Sequence, residues 1–204
     1  MQVLSTGEAI VSSLIQHGVD TVFGVPGAHA YHLCDALARE NSKINFVTAR
    51  HEQGAGHMAF GYAKSSGRPG VYTAVPGPGV LNSSSSLSIA YATNSPILCL
   101  TGNIMSHLIG RGRGQLHELP GQLATLRSIT KWAERINHPS EAPEIISEAF
   151  RQMMSGRRGP VSIEAPWDVF GIKAPVNLDE KNAKVSTSEP DPDHIASAAE
   201  IILN

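Results

Sequence analysis

Short, continuously apolar runs alternate along this chain with segments of helical period. The runs are TVFGVPG from residue 21, INFVTA at 44–49, GVYTAV at 70–75, PILCLTG at 96–102 and GPVSIEAP at 159–166. Each is short and closes on Gly, Pro or a polar cluster, as strands do. Residues 5–17, STGEAIVSSLIQH, predict a helix. Ser5 and Glu8 form a capping box, Ile10, Leu14 and Ile15 share a face, and Gly18 closes the end. Further helices are predicted over roughly 29–40, from His51 towards Gly67, over NSSSSLSIAYAT after the PGPG turn, near 121–128, and over 141–156. Residues 103–121 read as a loop rich in Gly, His and Arg.

Strands that are apolar throughout belong to a parallel sheet covered on both faces. The expected fold is a three-layer α/β/α sandwich around a central, mostly parallel sheet of about six strands, formed by residues 1–172. Ligands of such sheets sit beyond the C-terminal strand ends, near a topological switch point. The informative loops are therefore VPGAH, ARHE, VPGPG and TGNIM. From 173 to 193 the chain is polar and proline-containing without hydrophobic period, which reads as a linker. HIASAAEIILN (194–204) then reads as the truncated start of a following domain, so the chain is expected to be the front of a longer protein.

Composition narrows the function class. A formal charge of -2, with basic residues scattered, gives no electrostatic case for nucleic acid. No apolar run approaches the ~20 residues of a membrane span, and MQVLSTGEAI lacks the pattern of a signal peptide. Cys34 and Cys99 sit in apolar surroundings and read as small buried thiols in a reducing cytosol. The expected location is cytoplasmic.

Single motifs leave alternatives open. Gly77-Pro78-Gly79 has the outline of a phosphate-binding turn but lacks the spacing of a dinucleotide fingerprint and the Lys of a P-loop, so a plain tight turn competes. Asn82 suits a helix cap. The histidines His29, His32, His51 and His57 have no carboxylate or cysteine completing a metal-ligand set, so no metal site is expected. Ser83 to Ser86 read as helix packing rather than nucleophile supply. Glu52 stands at a helix start, where a carboxylate interacts well with the macrodipole and often does nothing more. The small residues after it, Gly54, Ala55, Gly56 and Ala59, are read as leaving room for something flat beside the carboxylate.

Five stretches together resemble one family: FGVPG at 23–27, RHEQGAGHMAFGYA at 50–63, PGPGVLN at 76–82, ITKWA at 129–133 and RGPVSIEAPWD at 158–168. They are similar to the N-terminal pyrimidine-binding domain of thiamin-diphosphate-dependent 2-oxoacid decarboxylases and carboligases of the acetolactate synthase and benzaldehyde lyase kind. The resemblance implies a catalytic Glu52 that shares a proton with the coenzyme's pyrimidine N1′, Arg50 and His51 being supports. It also implies that Val25, Pro26, Gly27, Val75, Pro78 and Asn82 flank the aminopyrimidine, and that Ala28, His29 and His117 face the reacting carbon. VPGAH is similar to the benzaldehyde lyase stretch bearing an active-site histidine at the place of His29, where acetolactate synthases have a small residue. A solvent-exposed helix-start residue is the other reading of His29. His117 departs from the glutamine usual in both relatives, and Pro76 from a serine or alanine-like residue.

The same resemblance implies a substrate that is a 2-oxoacid or hydroxyketone, and a homodimer or homotetramer. Mg²⁺ and the diphosphate would be held by a separate domain of a neighbouring subunit, because the GDG motif of that domain is absent here. FAD is possible in the full-length enzyme, and the isolated chain is expected to be inactive. A natural alpha-type subunit of a two-chain decarboxylase and a non-catalytic binding relative are the alternatives.

Overall fold

The computed structural model describes residues 1–179 and 189–203. Its strands are β1 (Gln2–Ser5), β2 (Thr21–Gly24), β3 (Asn45–Thr48), β4 (Gly70–Ala74), β5 (Ile97–Asn103), β6 (Trp132–Arg135), β7 (Val161–Pro166) and β8 (Lys173–Val176). Its helices are α1 (Thr6–Gln16), α2 (Tyr31–Arg39), α3 (Glu52–Ser66), α4 (Pro78–Ala92), α5 (Gln122–Ile129), α6 (Ala142–Met154), the single turn α7 (Trp167–Phe170) and α8 (Pro192–Leu203). Six strands form one parallel sheet in the order β3-β2-β4-β5-β7-β6. The expected three-layer α/β/α sandwich is the observed one.

Alternation along the central strands explains why they carry no polar face. Val71, Leu98 and Leu100 point into one core, with Ile10 and Leu14 of α1, Leu33 and Leu37 of α2, and Ile146 and Met153 of α6. Tyr72, Ala74, Ile97 and Cys99 point into the other, with Ala55 and Ala59 of α3, Leu87 of α4 and Leu126 of α5. Each such leucine or isoleucine, wholly removed from water, contributes roughly 1.5–3 kcal/mol. Helix α1 starts as its sequence dictates: Ser5 accepts from the Glu8 amide while the Glu8 carboxylate accepts from the Ser5 amide at 2.7 Å.

Some expectations are corrected. Helix α4 begins at Pro78, so Gly77 is its N-cap and Asn82 lies a turn inside rather than capping it; proline at the first helical position sacrifices no intrahelical bond. Strand β6 falls in a stretch without an apolar run, because WAER is an edge strand with only Ala133 buried. Residues 173–176, inside the segment read as a linker, form β8, which pairs antiparallel with β1 from Gln2↔Val176 to Ser5↔Lys173. Residues 180–188 of that segment lie outside the described residues. The small residues of α3 serve packing more than an opening. A Cβ on Gly56 would run into the Ser86 side chain, and the Ala59 carbonyl fills the space beside Gly70, whereas Gly54 and Gly61 face open space. The residues of α8 are exposed, and among the described residues no helix is long and apolar enough to cross a membrane.

Candidate functional site

The sheet order reverses between β2 and β4, because β2 leads out to β3 on its far side and the chain returns to β4. A crevice at the C-terminal ends of β2, β3 and β4 is therefore built into the topology. Gly27 and Val75 lie in the loops that leave β2 and β4, and Glu52 directly follows the loop that leaves β3.

Glu52 is the first residue of α3, held there by its neighbour. His51 is the N-cap, and its ring Nδ1 accepts from the Gln53 amide at 3.2 Å. His51 thus caps the helix that Glu52 begins; Arg50 is exposed, without a hydrogen bond or ion pair among the described residues. Across the crevice Asn82 donates from Nδ2 to Glu52 Oε2 at 3.0 Å. Glu52 Oε1 accepts from no described residue. It lies on the side of Gly79, where an added Cβ would stand 3.4 Å from it. Val75, 7% exposed, forms the floor between two glycines. A Cβ on Gly27 would meet it at 2.6 Å and one on Gly79 at 2.7 Å, so both chain segments pass close to it only because they lack side chains. Val25, Gly27 and Ala28 are half-buried, while Pro26, Pro78 and Asn82 are exposed at the rim.

His29 lies next to this floor and is not an exposed helix-start residue. It is 4% exposed, precedes the Ala30 cap of α2, and holds a left-handed backbone at φ 67°. Its ring packs 5.2 Å from that of His117 and 4.9 Å from that of Trp167. His117 is also left-handed at φ 65°, and Nδ1 of each histidine is buried without a hydrogen-bond partner. Such a backbone is uncommon for a residue with a Cβ and strained wherever it persists. Burial pushes the His29 imidazole below its ordinary value, and the nearby His117 charge acts in the same direction.

The Gly-Pro-Gly turn supports this group rather than presenting a row of amides. The Gly77 amide already donates to Gln122 Oε1 at 2.8 Å. The serines after it bond locally and pack: Ser83 Oγ donates to the Val80 carbonyl and receives the Tyr72 hydroxyl, and Ser86 Oγ donates to the Ser83 carbonyl. Among the described residues no group of three His, Cys, Asp or Glu could hold a metal ion.

The site is one in which an open carboxylate oxygen faces an apolar floor between glycines, at a switch point. Residues 4–125 match the model of the thiamine pyrophosphate enzyme family, N-terminal TPP binding domain. The chain belongs to that family. Among curated thiamin pyrophosphate enzymes it is 43% identical over 176 residues to the probable 2-ketoarginine decarboxylase of Pseudomonas aeruginosa, covering 86% of this chain and 31% of that protein. It is 40% identical over 166 residues to the mitochondrial acetolactate synthase catalytic subunit of Saccharomyces cerevisiae, covering 81% and 24%. It is 37% identical over 186 residues to the acetolactate synthase isozyme 1 large subunit of Escherichia coli, covering 89% and 32%. The chain thus spans a third or less of the curated relatives it matches here. What it matches is the N-terminal TPP binding domain of that family, and it is similar in sequence to acetolactate synthases and to a probable decarboxylase.

One group of polar residues has no counterpart among the sequence-based candidates. Glu164 on β7 is fully buried, and its carboxylate accepts from Arg135 Nε at 2.6 Å, Asn103 Nδ2 at 3.1 Å and Gln122 Nε2 at 2.8 Å. The signal was available in VSIEAP, a strand otherwise without charge: a carboxylate there must be paired if both faces are covered.

Proposed function

We propose that this domain holds the aminopyrimidine half of thiamin diphosphate, and that Glu52 is the proton partner of the pyrimidine N1′. The observation that carries the reading is the Glu52 carboxylate, with Oε2 held by Asn82 and Oε1 free on the side of Gly79 and the Val75 floor. These residues fit a flat heteroaromatic ring: valine gives an apolar face, the glycines give close approach, and the carboxylate gives one in-plane hydrogen-bond partner. Val25, Pro26, Gly27, Val75, Pro78 and Asn82 form the cradle. When bound, the cofactor supplies the electron sink for making or breaking a C–C bond next to a carbonyl. The chain's part is to orient the ring, exclude water from its face and exchange one proton at Glu52.

Ala28, His29 and His117 are assigned to the substrate side. Two imidazoles packed side by side next to the floor suit a 2-oxoacid or hydroxyketone, whose oxygens need donors. Mg²⁺ and the diphosphate belong to a further domain contributed by a neighbouring subunit, in a homodimer or homotetramer located in the cytoplasm. FAD would bind outside this domain.

The test is Glu52→Gln in the full-length protein, with C2–H exchange of bound thiamin diphosphate followed by NMR. The expected result is exchange slowed on the order of 100-fold, with the fold unchanged. Exchange at the unsubstituted rate sinks the assignment.

A further inference from the structure

The Gln122 side chain, 2% exposed, uses its amide in three directions. Its Oε1 accepts from the Gly77 amide at 2.8 Å, and its Nε2 donates to the Gly102 carbonyl at 2.9 Å and to Glu164 Oε2 at 2.8 Å. Only one orientation of the amide satisfies all three, because a flip would set N–H against N–H and oxygen against oxygen. Glu164 is itself fixed by Arg135 and Asn103, so the anchor behind Gln122 is buried and charge-assisted.

The two glycines that Gln122 joins have a second property in common. A Cβ on Gly77 would lie 2.5 Å from the His117 carbonyl oxygen. One on Gly102 would collide with the His29 carbonyl and stand 3.1 Å from the His29 Cβ. Each glycine is therefore the surface on which one left-handed histidine rests. His29 and His117 come from loops 88 residues apart (117 − 29), and no hydrogen bond joins their rings to each other.

We infer that Gln122 is a positioning residue, whose amide locks Gly77 to Gly102 and thereby sets His117 and His29 side by side against the crevice. A buried network satisfied in this way fixes one geometry instead of merely adding stability. The assignment of these histidines to the substrate side rests on the function proposed above; the positioning itself does not.

The experiment uses full-length protein labelled with ¹⁵N-histidine, without cofactor, and follows the ring signals of His29 and His117 at one pH. Gln122→Met keeps the bulk and removes all three bonds; the ring signals of both histidines are expected to move and broaden. Glu164→Gln, which keeps the shape but loosens the anchor, is expected to move them less and serves if Gln122→Met does not fold. Met153→Ala, in the opposite core, is the control for lost stability alone and is expected to leave both rings in place. Unmoved rings in Gln122→Met, or in Glu164→Gln where that variant stands in for it, overturn the inference, as does equal movement in Met153→Ala. Turnover is read separately. A fall of about 10- to 100-fold in kcat for Gln122→Met is expected from misplaced groups. Moved rings with unchanged kcat would overturn the substrate-side assignment of the histidines and leave the positioning intact.

Discussion

Asn82 and Glu52 meet across two helix starts, the amide one turn inside α4 reaching the carboxylate on the first residue of α3 at 3.0 Å. The contact leaves Glu52 one engaged oxygen and one free oxygen. Because both helices start at strand ends beside the switch point, the pair is carried by rigid elements on both sides.

Asn82→Ala removes that partner without touching the core. Hydrogen bonds to charged groups are worth about 1.5–3 kcal/mol, less where exposed as here, so thiamin diphosphate affinity in the full-length protein should fall roughly 3- to 10-fold. Titration calorimetry with Mg²⁺ checks this, and affinity equal to that of the unsubstituted protein would show that Asn82 does not orient Glu52.

The Val75 floor predicts a compensating pair. Gly79→Ala places a methyl group 2.7 Å from a Val75 methyl, an overpacking that should cost about 1–3 kcal/mol in urea unfolding. Combining it with Val75→Ala should return part of that loss, since residues in contact do not add independently. Strict additivity in the double variant would mean that the two groups do not compete for space.

Histidine burial predicts a loss of stability in weak acid. Burial lowers the pKa of His29 and of His17, the second partly offset by the Ser13 carbonyl. Unfolded, both titrate near their ordinary value of 6.5; folded, they hold out against protonation to lower pH. The unfolded chain therefore binds protons first, so their stabilising contribution is complete above 6.5 and is lost as pH falls from there through the folded values. The urea midpoint should drop between about pH 7 and pH 5.5, and His17→Gln and His29→Gln should each flatten that slope. A slope unchanged in both variants would place its origin elsewhere.

The cysteines should differ in reactivity. Burial pushes the Cys99 thiol up to about 12, while Cys34 is raised by partial burial and partly relieved by the Gly27 backbone. The thiolate is the reactive form, so neither residue is a ready nucleophile. In native protein near pH 8, iodoacetamide followed by peptide mass spectrometry should find Cys34 modified before Cys99, and Cys99 only at the rate of unfolding. Prompt labelling of Cys99 would contradict its burial.

What the sequence disclosed follows the physics of each element. Central strands such as ILCLTGN are buried on both faces and announce themselves as apolar runs; β6, an edge strand with one buried residue, has no such signature. The Ser5–Glu8 capping box was legible because it is local. Glu52 and its crevice were approachable through motif order, whereas Asn82 as its partner, Trp167 over His29 and the Gln122–Glu164 network depend on contacts between distant segments. Nothing in the spacing of Gln122 distinguishes it from any polar residue at a helix start. Its two glycines gain meaning only once the loops they support are in place.

The antiparallel pairing of β1 with β8 makes the two ends of the main body near neighbours, Gln2 opposite Val176. The polypeptide enters and leaves this module through one doorway. A domain closed in that way can sit within a longer chain as an insert, and tension on its two ends would unzip the four-residue ribbon rung by rung before reaching the parallel sheet.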